Sequence, residues 1–235
     1  MEKISKIFYI NLSRRKDRNE HFLNSCKNVG IPLEKIERYE ALDGLTYEPS
    51  VHEKLMFKNC DYINKSYYNN IVCNQLGHYN LLKEIIDKNY KFTIICQDDV
   101  YFRNDFIEQL NKLMENIPSN AEIINIGLHS YANGKNFIPW DLTKSFKQDY
   151  KIIGKYLLNN NLCLMKNKSS KYVCSLAYII TLEGAINLVK YFNTNGFMRA
   201  TDGNFNDYCI KKNIFYCSLP VLTTGNNNLG SDIFQ

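Results

Sequence analysis

The chain has 235 residues, a formal net charge of +5 and 45% hydrophobic residues, enough to bury a substantial core and too apolar for a mostly disordered chain. Its Lys and Arg residues are dispersed rather than striped, which disfavours nucleic acid as the main partner, and no apolar run reaches the length of a membrane span. The 8 cysteines, at 26, 60, 73, 96, 163, 174, 209 and 217, form no CxxC pair. A zinc site is disfavoured, and reduced thiols in a cytosol-like compartment are expected. The amino terminus has too short an apolar segment for a secretory signal, so the expected location is cytoplasmic.

Lys6 to Leu12, KIFYINL, predicts a buried first strand. Ser13 as cap, Asp17 in the first turns, and Phe22, Leu23, Cys26 and Val29 at helical spacing predict a helix ending at Gly30. Arg14, Arg15 and Arg18 fall at the turn and the first helical turn, where one or more can face an anion at the sheet's edge. For Arg14 a solvated basic face is preferred. IERYEALDG predicts a short second strand ending in Asp43 and Gly44, where an acidic residue is placed to accept hydrogen bonds from a ribose or a base. Residues 45 to 70 show no periodicity and read as a long excursion with short helices at most. A helix begins at Asn74, with Leu76, Tyr79, Leu82, Ile85 and Ile86 on its apolar face and His78 beside it, read as a buried, hydrogen-bonded histidine.

Lys91 to Phe102, KFTIICQDDVYF, is the most informative stretch. A strand interior does not tolerate unpaired carboxylates, so Asp98 and Asp99 belong at its carboxyl end. In α/β sheets that edge binds ligands, and paired carboxylates there suit a divalent cation carrying phosphate oxygens. Asn104 or Asp105 starts a helix with Phe106, Leu110, Leu113 and Ile117, and AEIINIG, Ala121 to Gly127, predicts another buried strand. From His129 to Ser170 the pattern loosens around the single Trp140, a stacking platform for a sugar ring or a packing residue. Tyr172 to Ile180 returns to strand character, and Thr181 caps a helix carrying Leu182, Ala185, Ile186, Val189 and Phe192. TDGNFNDYC offers Asp202 and Asp207 as loop aspartates after a flexible Asn and Gly region, and the tail TTGNNNLGSDIFQ is either a loose end or a lid. The sequons at Asn11, Asn64 and Asn167 arise by chance often enough to carry no weight, and Asn11 ends a buried strand. Alternating strands and helices predict an α/β fold with a central, mostly parallel sheet and helices on both faces.

Taken in order, INLSRRKDR, YEALDG, CNQLGHYNLLKEI, IICQDDV, INIG, AYIITLEGAINLV, TDGNFNDY and the closing SDI resemble glycosyltransferase family 25 over nearly the whole chain. That family includes bacterial lipooligosaccharide galactosyltransferases and collagen hydroxylysine galactosyltransferases. The resemblance implies a GT-A type fold as a single domain over 1–235, with 1–102 the nucleotide-sugar half and 103–235 the acceptor side and tail. It also implies a UDP-galactose or UDP-glucose donor, Mn2+ or Mg2+, inversion, and a glycan or glycoprotein acceptor. By matching motif, Asn11 and Arg18 fall in the opening nucleotide-site segment, and Ala41 and Asp43 in the segment near uracil and ribose. Asp98 and Asp99 match the last two residues of an acidic EDD signature, His78 the histidine of a GC plus SH segment, and Ser231 with Asp232 the closing pair. Asp202 matches the later acidic residue.

The expected chemistry follows from those matches. Asp99 is the first metal ligand, Asp98 the second or a hydrogen-bond partner of the donor sugar, and Asp232 completes the shell if the tail folds back. Asp202 is the expected base, with Asp207 in reserve. Three departures stand out: Gln97 where the family has Glu, and Val72 and Gly77 in place of Gly and Ser. Gln97 keeps a second reading open, a degenerate transferase that binds a glycan or partner without turnover. Metal-dependent phosphoryl or nucleotidyl transfer is the rival chemistry, but there is no GxxxxGKS loop. The composition suits a viral or bacterial surface-glycan pathway.

Overall fold

A computed structural model of the chain describes residues 1–128, 157–159, 162–165 and 175–233. Trp140 and Asn167 lie outside them. Strands β1 (Lys6–Asn11), β2 (Ile36–Glu40), β3 (Phe92–Gln97), β5 (Ile123–Asn125), β7 (Leu157–Asn159), β8 (Leu162–Met165), β9 (Ala177–Thr181) and β10 (Phe215–Ser218) form one sheet in the order β2-β1-β3-β9-β5-β10-β8-β7. β1 runs parallel to both β2 and β3, and β10 runs parallel to β5. β9 opposes β3 and β5, and β8 opposes β10 and β7. All strands except β8 and β9 therefore point the same way, as the alternation of elements predicts.

The central strands read as continuous apolar runs because they are covered on both sides. Ile7, Ile94, Ile95, Ile124, Ile179 and Ile180 are each at most 0% exposed. The flanking helices are α1 (Lys16–Asn28), α2 (Val51–Met56), α3 (Tyr68–Asp87), α4 (Phe106–Glu115), α5 (Leu182–Asn195) and α6 (Thr201–Lys212). Among the described residues no helix is long and apolar enough to cross a membrane.

Several local expectations are corrected. Ser13 does not cap α1: Arg15 is the N-cap, without a side-chain bond, and the Ser13 hydroxyl instead accepts from Arg38 at 3.1 Å. The excursion after Gly44 contains α2, which opens with a full capping box between Ser50 and Glu53. α3 begins at Tyr68 rather than Asn74, because Ile71, Val72 and Cys73 are buried and extend its apolar face toward the N-terminus. TDGNFNDYC is not a loop. It is the body of α6, with Asp202 in the first turn, where a carboxylate suits the helix dipole. Thr181 does cap α5, its hydroxyl accepting from Gly184 N–H at 2.9 Å.

A second, small sheet has the order β4-β11-β6, made of β4 (Val100–Phe102), β11 (Thr223–Gly225) and β6 (Gly127–Leu128). β3 and β4 are separated only by Asp98 and Asp99. β11 pairs antiparallel with β4, Gly225 opposite Val100, and Asn226 N–H then donates to the Asp99 carbonyl at 2.7 Å. The tail is thus delivered to the acidic turn by strand pairing.

Candidate active site

At the C-terminal end of β1, Asn11 is 1% exposed. Its amide donates to Asp98 Oδ2 at 2.7 Å and to the Arg15 carbonyl at 3.1 Å, while its Oδ1 accepts from Arg38 at 2.8 Å. That set of bonds leaves it no freedom for modification. Arg18, on the first turn of α1, donates to Asp98 Oδ1 at 2.8 Å and to the Gly230 carbonyl, and lies 3.6 Å from Asp99 and 3.8 Å from Asp232. The expected anion partner of Arg18 is therefore a ring of carboxylates from β3's end and the tail. Both oxygens of Asp98 are engaged, by Asn11 and by Arg18. Burial pushes its carboxyl up from the ordinary value, with Arg18 and Asn11 opposing.

The tail completes the cluster. Asp232 forms ion pairs with Arg15 and, at 2.8 Å, with Arg14. Arg14, exposed as expected from the sequence, also donates to Asp43 Oδ2 at 2.7 Å. Asp43 holds its side chain bond to Arg14, which raises the guanidinium's pKa, and also accepts from Leu45 N–H at 3.1 Å. Arg15 binds Asp17 as well, bringing that exposed carboxyl down to about 2. Ala41 is fixed through its backbone N–H, which donates to the Asn11 carbonyl at 3.0 Å. Asn70, at the start of α3, donates to the carbonyls of Asp232 and Ile233 at 3.2 and 3.1 Å. Gly44 permits this approach: a Cβ there would meet Asn70 Cα at 2.8 Å. Arg15 and Asn70 are site residues the sequence reading did not single out. Arg15 stood in a run of three arginines with nothing to rank it, and Asn70 had no signal at all.

A divalent cation needs hard oxygen donors that are not already satisfied. Asp99 Oδ1 is buried without a hydrogen-bond partner, and Asp232 Oδ1 faces Arg14 without a well-aligned hydrogen bond. Asp98 offers no unengaged oxygen. No group of three or more His, Cys, Asp or Glu side chains is arranged to hold a metal among the described residues. The oxygen open to a cation is thus Asp99 Oδ1, and Asp232 could join it only on leaving Arg14 and Arg15, with further ligands from water or from diphosphate oxygens.

Asp202 and Asp207 lie elsewhere, on α6. Asp202 Oδ1 accepts from Gly203 N–H at 2.7 Å, and its side chain lines a cavity of ≈ 20 Å³ with Asn125, Ser175, Tyr178 and Asn206. Asp207 is paired with Arg199 at 3.0 Å. α3 fixes this region: Asn74 accepts from Thr201 at 2.7 Å and Gln75 from Asn204 at 2.8 Å. His78 is buried and hydrogen-bonded, as expected, with its ring nitrogens 2.8 Å from Tyr178 Oη and 3.1 Å from Gln97 Nε2.

A sequence model of Glycosyltransferase family 25 (LPS biosynthesis protein) matches residues 4–202. Human procollagen galactosyltransferase 2 is 27% identical over 189 residues, covering 78% of this chain and 27% of the human protein. The Bos taurus "Probable inactive glycosyltransferase 25 family member 3" is 24% identical over 189 residues, covering 78% of this chain and 28% of its own length. The chain spans about a quarter of the length of these curated relatives. Among solved structures, S. aureus TarS 1-349 aligns with a TM-score of 0.48 at 13% identity, covering 94% of this chain and 60% of that one.

Proposed function

Because the chain belongs to glycosyltransferase family 25, we propose that it transfers a hexose, galactose or glucose, from a UDP-sugar to a hydroxyl of a glycan or a protein-linked acceptor. The observation that carries this reading is the meeting of Arg14, Arg15 and Arg18 with Asp98, Asp99 and Asp232 where β1 and β3 end. Such an edge suits an anionic ligand held by arginines and a cation held by carboxylates.

In this reading residues 1–102 carry the donor and 103–235 face the acceptor, except that the tail returns to the donor side. Asp43 and the backbone at Ala41 receive the uridine. Arg14 and Arg15 exchange Asp232 for diphosphate oxygens, an exchange of one anion for another at little electrostatic cost. Asp99 and Asp232 hold Mn2+ or Mg2+, which when bound neutralises charge on the departing diphosphate. Asp98 keeps Arg18 aimed. The acceptor oxygen attacks the anomeric carbon from the face opposite the diphosphate, the C–O bond to the diphosphate breaks, and Asp202 takes the acceptor's proton. Inversion follows from the single displacement.

A screen of UDP-hexoses with manganese, with magnesium and with EDTA tests the proposal. Cation-dependent UDP release is expected, with the opposite anomeric configuration in the product by NMR. No release from any UDP-hexose, together with no calorimetric binding of UDP, overturns it.

A further inference from the structure

Gln97 stands where the family resemblance expects a glutamate, and its amide is spent on His78. An amide nitrogen only donates, so His78 Nε2, 3.1 Å from Gln97 Nε2, must be the bare acceptor. A neutral imidazole with Nε2 bare carries its hydrogen on Nδ1 and donates it to Tyr178 Oη, 2.8 Å away. Once that oxygen is accepting, its own hydrogen points elsewhere. Among the described residues the Tyr178 hydroxyl makes no other hydrogen bond. What lies beside Tyr178 is the ≈ 20 Å³ cavity it shares with Asp202, large enough for one water or one substrate hydroxyl.

We infer that Gln97 is a positioning residue: its amide sets the direction of the chain Gln97 to His78 to Tyr178, and so leaves the Tyr178 hydroxyl hydrogen to be donated to a sugar hydroxyl in the cavity beside Asp202. A glutamate at 97 reverses the chain. A carboxylate accepts only, so His78 Nε2 must carry the hydrogen, Nδ1 becomes the acceptor, and Tyr178 must turn its hydrogen back to the ring. The neutral side chain at 97 is then part of a working site rather than a lost metal ligand. Burial keeps both members uncharged, holding the His78 pKa down to about 3 and the Tyr178 phenol well above its ordinary value. Packing fixes the rings as well: His78 and Tyr178 are stacked at 5.8 Å, and Phe205 meets both edge-on at 5.9 and 5.2 Å.

The kinetic part of the test rests on the transferase reading, and the spectroscopic part does not. In nitrogen NMR of the 15N-histidine-labelled protein at neutral pH, His78 is expected with Nδ1 protonated and Nε2 bare, and in Gln97→Glu with Nε2 protonated. Gln97→Glu should lower kcat about 10- to 100-fold, the loss of one hydrogen bond to the reacting complex, with the donor KM unchanged. Tyr178→Phe should cost a similar factor alone and little more in the Gln97→Glu background, because both changes remove the same hydrogen. A wild-type His78 protonated on Nε2 overturns the inference. So does Gln97→Glu with full kcat, or two losses that multiply. A wild type that turns over no UDP-hexose overturns the transferase reading instead, while the ring nitrogens still decide the direction of the chain.

Discussion

Where β1 and β3 end, Arg14, Arg15 and Arg18 interleave with Asp43, Asp98, Asp99 and Asp232. Across α3, around Tyr178 and Asp202, the connecting side chains are amides, a neutral imidazole and a phenol. The first region is held by charge, which an incoming anion can rearrange. The second is held by short neutral hydrogen bonds that neither salt nor a diphosphate disturbs. A transferase needs both: a mobile charge set to admit and release a nucleotide, and a fixed frame to place a hydroxyl and its base. Variants in the first should alter donor or cation binding, and variants in the second should leave donor binding unchanged.

The sharpest break is Asp99→Ala, which removes the carboxylate whose Oδ1 is buried without a hydrogen-bond partner and should lower UDP release by about 10⁴-fold, consistent with the several kcal/mol a catalytic cation supplies. Near wild-type release would take the cation away from Asp99. Next comes Arg18→Met. It strands Asp98, 3% exposed, without its cation, and should cost about 3–5 kcal/mol in urea unfolding; a cost under ~1 kcal/mol would mean the pair is not what holds this edge together. Asp202→Asn should reduce kcat about 10²- to 10³-fold with calorimetric UDP affinity unchanged. Lost UDP affinity would move Asp202 out of the neutral region and into the nucleotide site.

Asp232→Asn should raise the half-saturating manganese concentration about tenfold, as expected for one weakened ligand worth ~1.4 kcal/mol, and an unchanged manganese titration would exclude the tail from the cation's shell. The last effect expected is on pH dependence. His78 titrates at about 3 in the folded chain against an ordinary 6.5, so the unfolded state binds the proton first. Stability is therefore complete above pH 6.5 and is lost as pH falls toward 3. His78→Gln should flatten that part of the urea midpoint curve. An equal slope in both proteins would mean that other groups govern acid unfolding.

β1, β3, β5 and β9 were readable because their residues are buried on both faces and carry unbroken apolar runs. The Asp98–Asp99 turn was readable because carboxylates cannot remain inside such a run. α6 was not, since Ala200 at its N-cap makes no side-chain cap bond and Gly203 sits in its first turn, so neither a start signal nor helix propensity marks it. α2 was written in the sequence as Ser50 and Glu53, but six residues are too few for periodicity to show. The pairing of Arg15 with Asp232 spans 217 positions, and no local pattern encodes a contact that depends on β11 finding β4. The link from Gln97 to His78 depends in the same way on how α3 packs across the end of β3.

The pairing of β11 with β4 also fixes when a newly made chain becomes competent. Thr223 lies opposite Phe102, so the acidic turn leaves the ribosome long before the strand that delivers Asp232 to it. β1 and β3 pair across a shorter separation, Lys6 opposite Thr93, and both have emerged before β11 is made. Until residues 223–232 emerge, Arg14 and Arg15 have no Asp232, and Asp99 has no Asn226 on its carbonyl. If the donor binds as proposed, a chain still lacking residues 223–232 lacks the tail's share of that site.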